Sequence, residues 1–315
     1  MDVLTSEEVA APTPGPGQLH VKVRAAAVNF PDALLCRGMY QIKPSLPFTP
    51  GIELCGEVLA TGDGVTGFAV GDRVLGSSNL PEGAFADEAL MDGGAAFPAP
   101  TSLSDEAAAS LFIAYQTGWF ALHRRANLRQ GETVLVHAAA GGVGSAAVQL
   151  AKAAGARVIG VVGGPEKAKI ATDLGADVVV DRHSEDFIAV VKEATDGRGA
   201  DVIFDPVGGD AFAGSTKCVA FEGRIVIIGF ASGTIPTPGL NHALIKNYSL
   251  VGLHWGLYRQ RDPALVAEAH ESLTDLADRG LIAPLVSERL TLDRAAEGVQ
   301  RVAAGETTGR VVVLP

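Results

Sequence analysis

The sequence predicts an α/β protein of two domains, one β-rich and one a doubly wound parallel sheet. Three observations carry that prediction. The chain of 315 residues is about twice a typical domain, and its 47% hydrophobic content suffices for two cores without disulfides. Residues 1–108 read as short runs with period-two alternation, cut by turn signals. From residue 131 the pattern becomes strand, glycine turn, helix and strand, repeated, which is the grammar of a parallel sheet covered by helices.

In the first region, 18–24 alternates strictly and 52–58 in part, so both read as strands. Turn signals fall at 12–17 (PTPGPG), 47–51 (PFTPG), 61–67 (TGDGVTG) and 70–74 (VGDRV), where proline fixes φ and glycine reaches positive φ. Ser104 is an N-cap candidate with Asp105 and Glu106 in the first turn. The apolar segment that follows runs through Tyr115 to Leu122, predicting one helix. In the second region, strands are expected at 133–137, 157–162, 177–180, 201–204 and 224–228, with helices at 143–154 and 167–174. Beyond 250 the sequence offers a helix at 263–279 and a last strand at 309–314. There the chain is expected to rejoin the first domain, so that residues 1–108 and 250–315 enclose an inserted domain of 109–249.

Composition narrows the function. The net charge is −11 and the basic residues are scattered, which argues against nucleic acid or an anionic membrane as partner and for a small molecule. Three cysteines, Cys36, Cys55 and Cys218, form no CxxC pair and suit a reducing compartment, the cytoplasm by default. The N-terminus lacks the basic start and apolar run of a signal peptide, and no stretch of about 18 apolar residues occurs.

The strand at 133–137 runs into Ala138-Ala-Ala-Gly-Gly-Val-Gly144 and then a helix, the context that a dinucleotide fingerprint requires. Ala138 takes the first glycine place. Gly141 lets backbone approach a pyrophosphate, Gly142 and Val143 open the helix whose N–H groups face an anion, and Gly144 lets that helix pack on the strand. About 20 residues on, where an NAD enzyme places a carboxylate on the ribose, stand Gly163 and Gly164. Lys167 follows on the next helix and Arg182 lies past the third strand, so the cofactor expected is NADPH. The plainer reading of Lys167 and Arg182 is two solvated surface charges.

The segments Asn29-Phe-Pro-Asp32, Gly38-Met-Tyr40, Pro50-Gly-Ile-Glu53, Gly71-Asp-Arg-Val74, the glycine turn, Asp205-Pro-Val-Gly-Gly209 and Gly309-Arg-Val-Val-Val313 occur in that order. Together they resemble the quinone oxidoreductase branch of the medium-chain dehydrogenase/reductase superfamily. The resemblance implies a GroES-like catalytic domain made from both chain ends, an inserted Rossmann domain, and a homodimer formed through the Rossmann sheet. It also implies NADPH-dependent reduction of a quinone or an α,β-unsaturated carbonyl. An enoyl thioester as acceptor, or a non-catalytic NADPH-binding protein of the same fold, are the alternatives. Zinc-using relatives place Cys where this chain has Asn29 and His where it has Ile52, and residues 56–217 contain no Cys, so no metal site is expected.

The same resemblance puts Asn29 and Tyr40 at the acceptor, where an amide N–H and a phenol could hold a carbonyl or enolate oxygen. The alternatives are that Asn29 caps a turn before Pro31 and that Tyr40 only packs. Thr117, with Tyr115, falls near the nicotinamide or packs within its helix; Gly229-Phe230-Ala231 and Gly252–Trp255 resemble segments bordering the nicotinamide. His254 and Trp255 are alternatively interface residues. Asp32 and Glu53 read as structural carboxylates, His137 as a strand-packing or backbone-bonded residue, and Cys55 and Cys218 as small core hydrophobes. Two departures stand out. Relatives begin with an extra strand of about ten residues ahead of Val3-Leu4, leaving an edge to be explained, and Ala140 stands where many have Ser.

Overall fold

A computed structural model describes residues 4–315; the expected edge at Val3 lies outside the described residues. The described residues form two compact units, one of residues up to 113 together with 283–315 and one of 114–282.

The first unit opens with β1 (Gln18–Ala27), whose alternating pattern turns Leu19, Val21 and Val23 inward. A short helix α1 (Phe30–Cys36) follows, then β2 (Leu54–Thr61), β3 (Arg73–Ser78), β4 (Glu88–Pro98) and α2 (Asp105–Ala109). β1 pairs with both β2 and β4, and β3 bridges those two, so the four strands close on themselves. Closure leaves fewer free edges. The expected N-cap is present, with Ser104 Oγ accepting the Ala107 N–H at 3.3 Å. The single helix expected from 104 to 122 is instead broken into α2 and α3 (Phe112–Trp119). The reason is a distant carboxylate: the Ile113 N–H is bound at 2.6 Å by Glu53 Oε1 and so leaves the helical ladder.

The second unit holds six parallel strands: β5 (Thr133–His137), β6 (Arg157–Val162), β7 (Val178–Asp181), β8 (Ala200–Asp205), β9 (Val219–Ile227) and β10 (Ser249–Gly252). Their spatial order, β10-β9-β8-β5-β6-β7, is the doubly wound arrangement with its switch point between β5 and β8. The connections carry α4 (Gly142–Ala153), α5 (Pro165–Asp173), α6 (Phe187–Ala194), α7 (Gly209–Cys218) and α8 (Leu240–Lys246). Leu135, Ile159, Val180, Ile203 and Ile225, one from each of five strands, form the core with Phe212 and Val191 from the helices. Such buried strands read as continuous apolar runs.

After β10 come α9 (Gly256–Arg261) and α10 (Pro263–Asp278), the latter capped by Asp262, which accepts the Leu265 N–H at 3.2 Å. The sequence reading had the chain leave the second domain near 250; here 250–282 belongs to the second unit. Its anchors are specific, since Gln116 Nε2 donates to Val266 O at 3.0 Å and Trp119 Nε1 to Ser272 Oγ at 3.2 Å. The chain then completes the first unit with β11 (Val286–Thr291), α11 (Ala295–Ala304) and β12 (Arg310–Leu314), β12 lying antiparallel on the end of β1.

Candidate functional site

In the second unit the glycine turn after β5, Gly163 and Gly164 after β6, Arg182 after β7 and residues 229–231 after β9 lie at the carboxyl edge of the sheet, where open α/β sheets bind ligands. β5 ends at His137, and Ala138 turns the chain at φ 51°, a left-handed position that costs a non-glycine residue roughly 1 kcal/mol or more. The Gly141 N–H closes the turn on Ala138 O at 2.8 Å. Gly141 is the N-cap of α4 and has no side chain to cap it, so the first-turn N–H groups of Gly142, Val143 and Gly144 lack an internal acceptor. Gly144 is fixed by contact: a Cβ there would lie 2.1 Å from Ala138 O. A backbone cradle of this kind fits a pyrophosphate.

Gly163 and Gly164 follow β6, with Lys167, half-buried, in the first turn of α5. Arg182 reaches the same place from beyond β7, for a Cβ on Gly163 would meet its Nε at 3.1 Å. Gly229-Phe230-Ala231 follows β9 and is tied to the loop after β8 by Ala231 N–H to Pro206 O at 3.0 Å. Thr117 is buried on α3. Its neighbour Tyr115 is buried as well, and its hydroxyl accepts from Gln149 Nε2 at 2.9 Å, tying α3 to α4.

Two loop anchors were not singled out by sequence reasoning. Asp181 Oδ1 accepts the N–H groups of Gly164 and His183, and Asp205 Oδ1 accepts those of Val207 and Gly208 at 2.9 Å each. The signal was there, a strand-ending Asp followed by turn residues. His137 is buried between Phe187, edge-on at 5.0 Å, and Ser215 Oγ at 2.8 Å. Because the Ser215 hydroxyl donates to Ala211 O, it receives the His137 Nε2–H. The partner is thus a side chain, and burial pushes the imidazole pKa down to about 4. Trp255 is buried and its indole donates to Gln116 Oε1 at 3.4 Å.

The first unit holds Asn29 and Tyr40. Asn29 is buried, and both hydrogens of its amide are spent, on Ala27 O at 3.1 Å and Glu53 Oε2 at 2.9 Å, while its oxygen accepts from Arg310 Nη2 at 2.9 Å. The expectation that this amide holds a substrate oxygen therefore meets a side chain with no donor to spare. Asn29 is instead the N-cap of α1, its N–H bound by Asp32 Oδ2 at 2.8 Å. Asp32 also takes the Gly51 and Ile52 N–H groups at 3.1 Å each, yet burial pushes its pKa up to about 7. Glu53 is fully buried and bonds Arg310 Nη2 as well. Tyr40 lies half-buried in the loop after α1. Cys55 and Cys218 are buried, and desolvation pushes both thiols up to about 12. Among the described residues no group of three or more His, Cys, Asp or Glu could hold a metal ion.

Comparison with known proteins places this geometry. The alcohol dehydrogenase GroES-like domain family matches residues 15–101 and the zinc-binding dehydrogenase family residues 142–271. A quinone oxidoreductase of Pseudomonas aeruginosa is 37% identical over 317 residues, covering 100% of this chain and 96% of its own. The chain belongs to the quinone oxidoreductase branch of the medium-chain dehydrogenase/reductase superfamily. Within that superfamily, a quinone oxidoreductase-like protein 2 homolog of Nematostella vectensis is 43% identical over 301 residues, 95% of this chain and 82% of its own. The crystal structure of Escherichia coli quinone oxidoreductase complexed with NADPH superposes with a TM-score of 0.90 at 31% identity, covering 100% of this chain and 96% of that one. The architecture is accordingly a GroES-like domain with an inserted Rossmann domain, and the chain is an oxidoreductase by family. No helix among the described residues is long and apolar enough to cross a membrane.

Proposed function

We propose that the protein is an NADPH-dependent reductase of quinones or α,β-unsaturated carbonyls. The observation that carries this is the carboxyl edge of the Rossmann sheet. A helix start with a glycine N-cap and no capping side chain would receive the pyrophosphate, and the end of β6 offers glycines bordered by Lys167 and Arg182 in place of a ribose-binding carboxylate. Bound there, the nicotinamide supplies a hydride. The residues of this chain do the rest: Gly142, Val143 and Gly144 hold the phosphates through backbone N–H groups, and Lys167 and Arg182 neutralise the 2′-phosphate. Thr117 and the backbone of Gly229, Phe230 and Ala231 orient the carboxamide. Tyr40 donates its phenolic proton to the acceptor oxygen on which charge develops, and Asn29 acts through α1, the helix it caps.

The test is NADPH oxidation with 9,10-phenanthrenequinone and with a simple enal. Both acceptors should be reduced, and Tyr40→Phe should lower kcat for the enal by about 100-fold with little change in the NADPH Kd, the range of a lost general acid. NADPH binding without turnover of either acceptor would refute the reading in favour of a nucleotide-binding protein.

We further propose a homodimer through the Rossmann sheet. β10 is its edge strand and, among the described residues, pairs only with β9. Just before it in the chain, α8 exposes Leu240, Leu244 and Ile245, each more than 70% accessible, as an apolar face. In light scattering, the protein should run at twice its chain mass and the Leu244→Glu/Ile245→Glu variant at the chain mass. A wild-type monomer at micromolar concentration contradicts the assignment.

A further inference from the structure

The cationic side of the proposed 2′-phosphate site contains a group that the family comparison does not single out. A Cβ on Gly163 would meet both Cε1 and Nε2 of His183 at 3.1 Å, the same distance as Arg182 Nε. Two basic side chains thus lie across one glycine. His183 is otherwise a surface residue, its side chain 58% exposed, so the core does not require it.

Its position is set by Asp181. Oδ1 of that residue accepts the Gly164 N–H at 2.8 Å and the His183 N–H at 3.0 Å, and stands 3.8 Å from His183 Nδ1. These backbone bonds, that to Gly164 foremost, hold the Asp181 carboxyl below its usual range, so it is an anion wherever the protein is folded near neutrality. Asp181 in turn donates its own N–H to Glu185 Oε2 at 2.9 Å, and Arg182 N–H bonds Val162 O at 2.9 Å. One carboxylate therefore joins the glycine loop after β6 to the segment after β7 and fixes how the two basic side chains face it.

We propose that His183 is a specificity-determining residue for the cofactor's 2′-phosphate, a protonatable partner of Arg182 across Gly163, with Asp181 as the positioning residue that holds it there. The proposal rests on the NADPH reading above. Neutral imidazole offers the phosphate one N–H, whereas imidazolium offers a charge-assisted bond as well. The charged groups tied to this segment are Asp181 from β7 and Arg182 and Glu185 from the turn after it, and Glu166 and Lys167 stand in the first turn of α5, which follows Gly164 in the chain. Discrimination of NADPH from NADH should accordingly be stronger with an imidazolium at this position than with a neutral imidazole.

A phosphate monoester also takes up a proton near pH 6, so the test compares variants at one pH. The probes are 2′,5′-ADP and 5′-AMP, titrated calorimetrically into the whole protein at pH 5.5, 7 and 8.5. For 2′,5′-ADP the ratio of Kd in His183→Gln to Kd in the wild type should rise from near 1 at pH 8.5 to about 5 to 10 at pH 5.5. For 5′-AMP it should stay near 1 throughout. His183→Lys, permanently charged, should bind 2′,5′-ADP more tightly than the wild type at pH 8.5. In an Asp181→Ala background, replacing His183 should have no effect at any pH, and a ratio that still rises on acidification would overturn the positioning role. A wild type that prefers 2′,5′-ADP to 5′-AMP but gives a flat ratio overturns the His183 proposal alone. A wild type with no such preference overturns the NADPH reading and this proposal with it.

Discussion

Gly144→Ala is expected to weaken NADPH binding by about 100-fold or more, on the order of 3 kcal/mol, by displacing α4, whereas Gly141→Ala leaves α4 in place and acts only where its Cβ would meet the pyrophosphate. Both glycines lie in the same turn, and neither has a positive φ, so backbone strain plays no part in the difference. Space decides it. An added Cβ at 144 falls 2.1 Å from Ala138 O, 2.8 Å from Ala138 C and 3.0 Å from Ala139 Cα, all main-chain atoms that cannot step aside. At 141 the nearest atom is Ala138 O at 3.2 Å, a contact that small adjustments relieve. Relief at 144 requires α4 to move off β5, and the first-turn N–H groups move with it. The cradle loses its aim before it loses its charge. Overpacking of this size also lowers stability by about 1–3 kcal/mol, so Kd should be measured by NADPH fluorescence well below either melting transition. A Gly144→Ala variant that keeps the wild-type NADPH affinity would show that helix placement does not govern the phosphate site.

That turn was legible in the sequence because everything that shapes it is local: a buried strand, small residues at fixed spacing and an amphipathic helix. The strand at 133–137 and the Ser104 cap were readable for the same reason. Features made by partners far away in the chain were not. Nothing near Ile113 signals a helix break, since its cause, Glu53, lies 60 residues upstream. The point where the chain leaves the second unit was expected at 250 and falls at 283, because the anchors of α10, Gln116 and Trp119, stand some 150 residues before it. Asn29 shows the limit most clearly. Its place in the motif suggested a donor for substrate, but whether an amide has hydrogens to offer depends on what else surrounds it. Here Glu53 takes one of them, and the partner that completes the cluster, Arg310, is 281 residues away.

Arg310→Met should destabilise the first unit by about 3–5 kcal/mol at pH 8, a fall in Tm of roughly 10 °C, and by distinctly less at pH 5. Arg310 is the first residue of β12 and is buried; its guanidinium joins Glu53 and Asn29, and thus the last strand to α1 and the segment entering β2. Burial pushes the Glu53 carboxyl pKa up, and Arg310 is the foremost influence holding it down. Without the arginine the folded pKa rises further above the unfolded one. A carboxyl so raised contributes stability that is present below the unfolded pKa and lost as pH climbs through the folded value, which sets the sign of the pH effect. Glu53→Gln alone leaves the cation buried, still bonded to Asn29, whereas Glu53→Gln/Arg310→Met removes both charges and should recover most of the loss at pH 8. The Nε of Arg310 has no acceptor among the described residues, so the pair is not an optimised source of stability, and an uncharged pair of similar volume can do nearly as well. Thermal melts of the three variants at pH 5 and pH 8 decide the matter: a loss in Arg310→Met that is the same at both pH values, or a double variant no more stable than the single, would mean that the arginine contributes packing alone.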